Sequence, residues 1–488
     1  MLAIKEKAGP YRDKFFASHP SKEGPAAVIF ADSAKRLKGY LGQCGIKDHD
    51  ATMFMRLILA FIFHRGSMSC SAAAGAIGSD TVHRGNISRF LSQARHRKVD
   101  FNKPLIEQLL RKESKHGRFI FIVDATQKTQ ASKKVQNTYT CSASLPDKKK
   151  KASKTPAHKR RYNRAKAFPK SIHSFTFGLL ITPSGLRIPF QRPYYTNTHC
   201  KEHSQKHRST AQSAAEMILA LPIPEGSDVI VLGDSAYDAQ VVREACQRRG
   251  YKWIFPCNAE RVYPGTRGKR KKLRSRLEDW NQLSVKRHRL QASTGKYANY
   301  RRLSKYRVGP KMKNQDFYVH QEKVEVHNVG YVQLVFSTMK KNLQNATPDD
   351  VKILMTNAVN MKVDEILELY SLRWQIELFF KELKSCLGFA QYSFKDFRAV
   401  ETWVELAITT ILFLEDLRAT RMVDKRLDRQ QRQWRARQRV HGLCHAVRQE
   451  FHIRELKFIE SRLKTSRGIS KLKRLILAAV PNEFRLST

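Results

Sequence analysis

Two aspartates follow segments that have the composition of buried β-strands. Asp124 ends the run Arg118-Phe-Ile-Phe-Ile-Val-Asp, and Asp234 ends the run Asp228-Val-Ile-Val-Leu-Gly-Asp. Continuous apolar, β-branched runs predict buried strands, and the carboxyl ends of strands in an open α/β sheet collect ligands and catalytic groups. Like carboxylates converge in a stable fold mainly where a cation holds them. For either aspartate alone, a turn-forming role after a strand is the alternative.

A stripe of polar side chains runs along a predicted helix from Val363 to Leu387. At 100° per residue its members lie within about 80° of one another; they are Tyr370, Arg373, Glu377, Lys381 and Lys384. Apolar residues cover the opposite side, namely Leu369, Leu372, Ile376, Phe379, Phe380 and Leu383. A solvent-facing amphipathic helix would have the same periodicity. The two strand-end aspartates favour a site that Glu377 completes as a third carboxylate.

Carboxylates without Cys or His are hard oxygen ligands. Such a ligand set selects Mg²⁺ or Mn²⁺. The sequence therefore predicts a Mg²⁺ (or Mn²⁺) centre formed by Asp124, Asp234 and Glu377.

These residues and their spacing resemble the DDE-type cut-and-paste transposases of bacterial insertion sequences. The similarity is to the group with the YREK signature, which this chain matches as Tyr370-x2-Arg373-x3-Glu377-x6-Lys384. The contexts Val123-Asp124-Ala-Thr126 and Gly233-Asp234-Ser-Ala-Tyr237 also fit, and the resemblance spans roughly residues 45–420. It implies that the three acids bind two divalent ions, which promote in-line displacement at phosphorus.

The resemblance also implies DNA contacts for the other residues of the stripe. Tyr370, Arg373 and Lys384 would contact phosphates near the transposon end, and we include Lys381 on the same stripe. An Arg can grip a phosphate through two bonds, whereas a Lys acts as a mobile point charge. Trp374 is a candidate for stacking on a flipped base in an enzyme that cuts through a DNA hairpin. A role in the core is the alternative for any single aromatic residue.

The predicted fold class is α/β, with helical N- and C-terminal regions. The resemblance implies that the α/β part is an RNase H-like catalytic core interrupted by a β-rich insertion. The segments are a helical DNA-end-binding domain at 1–115, the first part of the core at 116–258, the insertion at 259–345, the second part of the core with the glutamate helix at 346–424, and a basic helical region at 425–488. The resemblance implies that the last region pairs protomers.

Periodicity assigns the elements that must position the site. Predicted strands are His173–Ile181, Leu186–Phe190, Lys252–Pro256, Asp316–His320, Tyr331–Ser337 and Val351–Thr356, besides the two runs that end in aspartate. Predicted helices are Ala51–Arg65, Thr210–Leu221, Ala239–Arg249 and residues 399–422. Strands that alternate with helical crossovers predict a mixed α/β sheet.

The N-terminal region contains a candidate DNA-recognition element. A small-residue helix, Ser69 to Ile77, precedes the turn Gly78-Ser79-Asp80 and a second helix, Thr81 to Gln93, which carries Arg84 and Arg89. This order is typical of a helix-turn-helix, whose second helix reads DNA. An ordinary basic helical hairpin has the same pattern.

The charge balance indicates a polyanionic partner. The chain has 91 Lys and Arg against 43 Asp and Glu, a net charge of +48 spread over 488 residues. A compact chain with this charge repels itself unless a polyanion neutralises it, and double-stranded DNA is the leading candidate. An anionic membrane surface and a ribosome-like structural role are the alternatives.

Cysteine use and hydropathy indicate the compartment. Eight scattered cysteines include no Cys-x-x-Cys pair, which fits a reducing cytosol. The longest apolar run, Met53 to Phe63, contains Arg56 and is shorter than the ~20 residues that cross a bilayer. The N-terminus lacks the apolar region of a secretory signal. These features predict a cytosolic protein without a membrane. The resemblance adds the expectation of a bacterial, nucleoid-associated homodimer that acts on transposon ends and target DNA.

Other polar clusters have weaker interpretations. The group His199-Cys200-x2-His203-x3-His207 has the density of a metal site, but it lacks a second Cys pair and lies beside lysines, which disfavours zinc. Basic residues at 147–166 predict a loop, and the Arg–Gln-rich stretch 429–439 predicts a helix that contacts phosphates or is merely solvated.

The expected function is therefore that of a DNA transposase, an enzyme that binds the terminal inverted repeats of its element and performs metal-dependent cleavage and strand transfer. The first alternative is a catalytically inactive DNA-binding protein derived from such an enzyme. The second is a nuclease of the same fold that acts on RNA–DNA hybrids.

Overall fold

The computed structural model describes residues 37–39, 41–42, 44, 46–63, 68–77, 84–93, 100–111, 113, 117–130, 134–140, 171–264, 270–278, 283–290, 296–301, 315–340, 350–422, 439–444, 447–448 and 470. The predicted loop at 147–166, the turn Gly78-Ser79-Asp80 and most of the stretch 429–439 lie outside these residues.

The strands and helices that periodicity predicts occur in the predicted order, and further elements lie between them. The helices are α1 (Asp48–Phe63), α2 (Cys70–Ile77), α3 (Arg84–Leu91), α4 (Lys103–Arg111), α5 (Asn197–Glu202), α6 (Thr210–Leu219), α7 (Gln240–Arg248), α8 (Leu273–Glu278), α9 (Val363–Ser371), α10 (Trp374–Cys386) and α11 (Phe397–Met422). The strands are β1 (Phe119–Gln130), β2 (Tyr139–Thr140), β3 (Ser171–Ile181), β4 (Arg187–Pro193), β5 (Val229–Leu232), β6 (Lys252–Pro256), β7 (Val262–Pro264), β8 (Arg270–Lys272), β9 (Lys286–Leu290), β10 (Gln315–Val326), β11 (Gly330–Thr338) and β12 (Lys352–Thr356).

The chain divides into two compact units. One comprises Met1–Arg111, Gln130–Thr138 and Lys381–Thr488, and the other comprises Lys112–Thr129 and Tyr139–Phe380. The five predicted segments are not tested by this division and stay a prediction.

The first unit is helical where it is described. Helix α11 packs against α1, α3 and α4, and the rings of Phe61 and Trp403 meet edge to face at 4.8 Å. Thr402 Oγ1 donates to the carbonyl of Leu91 at 2.9 Å. Phe54 and Ile58 on α1 are fully buried. None of the described helices is long and apolar enough to cross a membrane.

The second unit is built on a mixed ten-stranded sheet. Its strand order is β2-β3-β1-β5-β6-β12-β11-β10-β9, and β4 pairs with β3. Strands β1, β5 and β6 run parallel, whereas β12 is antiparallel to β6 and begins the antiparallel part that β11, β10 and β9 continue. Strands β3 and β4 pair antiparallel, and the predicted strand Lys252–Pro256 is confirmed.

Strand β1 does not end at Asp124, contrary to the sequence prediction. It continues to Gln130, so Asp124 lies within the strand. The physical reason is the partner on its other side: β1 lies between β5 and the long strand β3, which can still pair with β1 after the short β5 has ended at Leu232.

The predicted helix from Val363 to Leu387 is two helices. Between α9 and α10 the backbone tightens into bonds of the 3₁₀ type, with Leu372 N donating to Leu369 O at 2.9 Å and Arg373 N to Tyr370 O at 3.0 Å. The angle of about 100° per residue that places Tyr370 on the same stripe as Glu377 therefore does not apply across Leu372 and Arg373. The apolar side is still buried, as predicted, including Leu369, Leu372 and Ile376.

Candidate active site

Asp124 and Asp234 lie two residues beyond the last paired positions of neighbouring parallel strands. Strands β1 and β5 pair as far as Ile122 opposite Leu232; Asp124 follows within β1, and Asp234 follows after the end of β5. The charge of Asp234 acts on Asp124, so the two carboxylates are near each other. Asp124 Oδ1 accepts a bond from Ala125 N at 2.7 Å. Asp234 caps a short 3₁₀ turn, Ser235–Tyr237, by accepting from Ala236 N at 2.9 Å. Each carboxylate is thus oriented by its own backbone.

Arg373 connects the third acid to the sheet. Its Nη2 donates to Glu377 Oε1 at 2.6 Å, and its Nη1 lies 3.8 Å from Asp124 Oδ2. The side chains of Arg373 and Asp124 are each 18 % exposed, and that of Glu377 is 32 % exposed. The solvent-facing alternative therefore does not hold for Arg373 and Glu377.

Helix α10 is anchored so that Glu377 faces this region. Buried Arg187 on β4 donates to Gln375 near the start of the helix. Phe177 on β3 packs against the rings of Phe379 and Phe380, with centroids 5.8 and 5.5 Å away. Packing thus fixes the turn that carries Glu377.

The electrostatics of Asp124 are those of crowded carboxylates. Burial, with the nearby charges of Asp234 and Glu377, raises the pKa of Asp124 to about 6 from 3.8, although the Ala125 amide and Arg373 act in the opposite direction. The crowding is only partly compensated by Arg373, so the site favours an added positive charge.

Two phenols lie beside the acids. Burial raises the pKa of Tyr370 to about 12, with Arg373 lowering it and the charges of Asp234 and Glu377 raising it further. Burial also raises the pKa of Tyr237, and the charges of Asp124 and Asp234 add to the effect. Both phenols stay protonated at neutral pH and can donate a hydrogen bond.

Lys352 is a cation of this region that the sequence reasoning missed. Its Nζ lies 4.6 Å from the centroid of the Tyr370 ring. Desolvation and the charge of Arg373 lower the pKa of Lys352, and Glu377 opposes this. Lys352 begins β12, and because β12 is antiparallel to β6, its first residue lies at the edge where the parallel strands end. Only the strand pairing reveals this, since no local motif marks the residue.

The remaining predicted DNA contacts lie on helices. Trp374 is 55 % exposed, and Lys381 is exposed one turn after Glu377 on α10. Lys384 follows two turns after Glu377, and burial lowers its pKa. Arg84 and Arg89 are exposed on α3, where Arg89 donates to Asn86 Oδ1 at 2.5 Å. Their contacts with DNA stay predictions.

The donor set of the acids suits a hard divalent ion. It consists of carboxylate oxygens, whose mutual repulsion an ion would relieve. In the part of the chain that the structure describes, however, a different group has its ligand atoms close together. His199, Glu202 and His203 have ligand atoms that all lie within 4.8 Å of one another. The three acids do not form such a group while Arg373 binds Glu377 and lies near Asp124.

The family model of the transposase DDE domain matches residues 195–413. This match supports a DDE-type transposase. The matched part includes Asp234 and Glu377 but begins after Asp124. No curated protein matches the chain.

Proposed function

We propose that this protein is a DNA transposase that binds the terminal inverted repeats of its element and performs metal-dependent cleavage and strand transfer. One observation carries the proposal: Asp124 and Asp234 follow the paired ends of the adjacent parallel strands β1 and β5, and Arg373 bonds to Glu377 and lies near Asp124. The similarity of residues 195–413 to a transposase DDE domain supports the same reading.

Asp124, Asp234 and Glu377 would hold the divalent ions, Mg²⁺ or Mn²⁺. When bound, such ions activate the attacking oxygen and stabilise the leaving oxygen of an in-line displacement at phosphorus. Backbone amides orient Asp124 and Asp234 for this purpose, and Arg373 orients Glu377.

The cations of the site would hold the DNA. In the described structure Arg373 neutralises Glu377 and lies near Asp124. Once divalent ions neutralise these acids, the planar guanidinium group of Arg373 can bind a phosphate instead. Lys352 and Tyr370 offer an ammonium and a phenol beside it. Positive charge near a phosphate stabilises the charge that grows on its oxygens during displacement.

The charge of the whole chain fits DNA ends and target DNA as partners. We further propose an RNase H-like core with the β-rich insertion at 259–345, a homodimer in the synaptic complex, and association with the bacterial nucleoid.

The test is a cleavage assay on DNA that carries the inverted repeats flanking the gene. Asp124→Asn, Asp234→Asn and Glu377→Gln should each abolish Mg²⁺-dependent cleavage while end binding persists, because each variant loses a ligand charge and keeps its volume. The matched control is Glu244→Gln, an exposed carboxylate on α7, which should cleave as the wild type does. Wild-type cleavage by any of the three variants would remove that residue from the proposed centre.

A further inference from the structure

The segment between β4 and α6 brings two histidines and a glutamate together. Helix α5 covers Asn197–Glu202, and His203 is its C-cap residue. The ligand atoms of His199, Glu202 and His203 all lie within 4.8 Å of one another. We propose that these three side chains form a binding site for a borderline divalent cation such as Zn²⁺, and that this site shares no ligand with the centre of Asp124, Asp234 and Glu377.

The donor set identifies the class of ion. Two imidazole nitrogens and one carboxylate oxygen suit Zn²⁺, Co²⁺ or Ni²⁺, whereas Mg²⁺ prefers an all-oxygen set. Two histidines four residues apart on one helical face are a recurrent zinc-binding pair. With ligand bonds of about 2.1 Å, two ligands of a tetrahedral zinc are about 3.4 Å apart. The ligand atoms would therefore approach one another on binding, and the stacked rings of His199 and His203 would turn toward the ion.

The tautomer of His203 is the one that a metal ligand needs. Its Nδ1 lies 3.0 Å from the carbonyl oxygen of His199. A carbonyl oxygen only accepts, so Nδ1 carries the proton and donates, and Nε2 presents its lone pair when the ring is neutral. A bond of this kind, from the second ring nitrogen to a backbone carbonyl, commonly orients histidines that bind metals.

The rings are also held by stacking. His199 is 3 % exposed, and its ring lies between two others: that of Tyr195 at 5.3 Å and 9°, and that of His203 at 4.1 Å and 23°. Ordered ligands lose little conformational entropy when an ion binds.

The backbone of the segment is fixed at both ends of α5. Thr196 accepts a bond from His199 N at the start of the helix. At the other end Ser204 has a φ of 51°, and Gln205 N donates to Cys200 O at 2.8 Å while Ser204 N donates to Lys201 O at 3.4 Å. These two bonds form a Schellman motif, which positions His203 relative to the turn before it.

Glu202 lies inside the cluster of histidines and Cys200 that the sequence shows at 199–207. The structure supplies this residue as the third ligand. Lys201 and Lys206 are exposed, so water screens much of their charge. The fourth position of the ion would be taken by water, as in other sites with three protein ligands.

The experiment uses the full-length protein, treated with a chelator and then titrated with Co²⁺ in excess Mg²⁺, which occupies all-oxygen sites. We expect one equivalent of Co²⁺ to bind with the intense visible absorption of a low-symmetry nitrogen and oxygen site, and Zn²⁺ to displace it. His203→Ala and Glu202→Gln should each weaken binding more than about 10-fold, because loss of a mere hydrogen-bond partner of a ligand already costs 10–100-fold.

Two controls make the result specific. His207→Ala removes a neighbouring histidine that contacts Tyr194 Oη, and it should bind Co²⁺ as the wild type does. Asp124→Asn should also bind normally, so this proposal and the proposed transposase centre can fail independently. The proposed site would be overturned if the wild type showed no visible Co²⁺ absorption. It would also be overturned if His203→Ala and Glu202→Gln both bound Co²⁺ with the affinity of the wild type. Glu202→Gln preserves side-chain volume at an exposed position, so it carries the test if His203→Ala does not fold.

Discussion

The ionised carboxylate of Asp124 should lower the free energy of unfolding at neutral pH when no divalent ion is bound. Its pKa is about 6 in the folded state, against 3.8 without the burial and the neighbouring charges. The folded state therefore keeps the proton that the unfolded state loses between about pH 4 and pH 6, and stability falls as the pH rises through this window. A shift of about two units corresponds to roughly 2–3 kcal/mol.

Asp124→Asn removes this cost, so the variant should melt at a higher temperature than the wild type at about pH 7.5 and at nearly the same temperature at about pH 4.5. Thermal unfolding in a chelating buffer measures the difference. Glu244→Gln serves as the surface control and should show no such pH-dependent gain. An Asn variant that is no more stable at the higher pH would show that the carboxyl group is not crowded as described.

Arg373 and Lys381 are both predicted DNA contacts, but they differ in exposure. Arg373 is 18 % exposed and bound to Glu377, whereas Lys381 is exposed. Arg373→Ala should reduce cleavage strongly, and Arg373→Lys should restore only part of it, because the charge returns without the planar fork. Lys381→Ala should leave stability within about 0.5 kcal/mol. Cleavage rates and melting curves for all three variants are the measurement, and full activity in Arg373→Ala would remove it from the site.

At the scale of elements, the packing of β3 next to β1 leaves room only for a glycine at position 178. A Cβ on Gly178 would lie 2.1 Å from Cζ of Phe121, so the phenyl ring occupies the space that any other residue would need. Gly178→Ala should lower the free energy of unfolding by about 1–3 kcal/mol through overpacking.

The double variant Gly178→Ala with Phe121→Leu tests this reason, because leucine does not reach as far as the phenyl ring. Denaturant unfolding should show the second substitution costing less in the alanine background than alone. Gly42→Ala is the matched control, since nothing lies within 4 Å of its Cβ position. Strictly additive effects of Gly178→Ala and Phe121→Leu would contradict the contact.

The elements also show what the sequence could and could not predict. The short strands β5 and β6 and the helices α6 and α7 were found because their periodicity is local. The extension of β1 past Asp124 depends on β3, a partner that local sequence does not reveal. The joint at Leu372 and Arg373 was missed because a 3₁₀ turn leaves the apolar spacing nearly unchanged. Lys352 was missed because antiparallel pairing of β12 brings it to the site.

For the whole molecule, the net charge of +48 makes a prediction about DNA affinity that no single contact can make. Each phosphate contact by a Lys or Arg releases counterions, so the logarithm of the binding constant should fall linearly with the logarithm of salt concentration. The slope measures how many contacts form. A nearly flat plot would mean that the excess charge does not serve phosphate binding.

A block of four lysines, Lys148 to Lys151, offers a way to count. Replacing all four with Gln should reduce the steepness of the salt plot by up to about 3.6, since each contact contributes about 0.9 on duplex DNA. The loss should be the same on transposon ends and on random DNA, because phosphate contacts carry no sequence information. Arg84→Ala and Arg89→Ala give the contrast: if α3 reads bases, they should reduce the preference for the cognate end and change the slope by about 1 or less. Filter-binding or anisotropy titrations at several salt concentrations separate the two behaviours. Equal weakening on both DNAs by the α3 variants would identify Arg84 and Arg89 as phosphate contacts and would place end recognition on other residues.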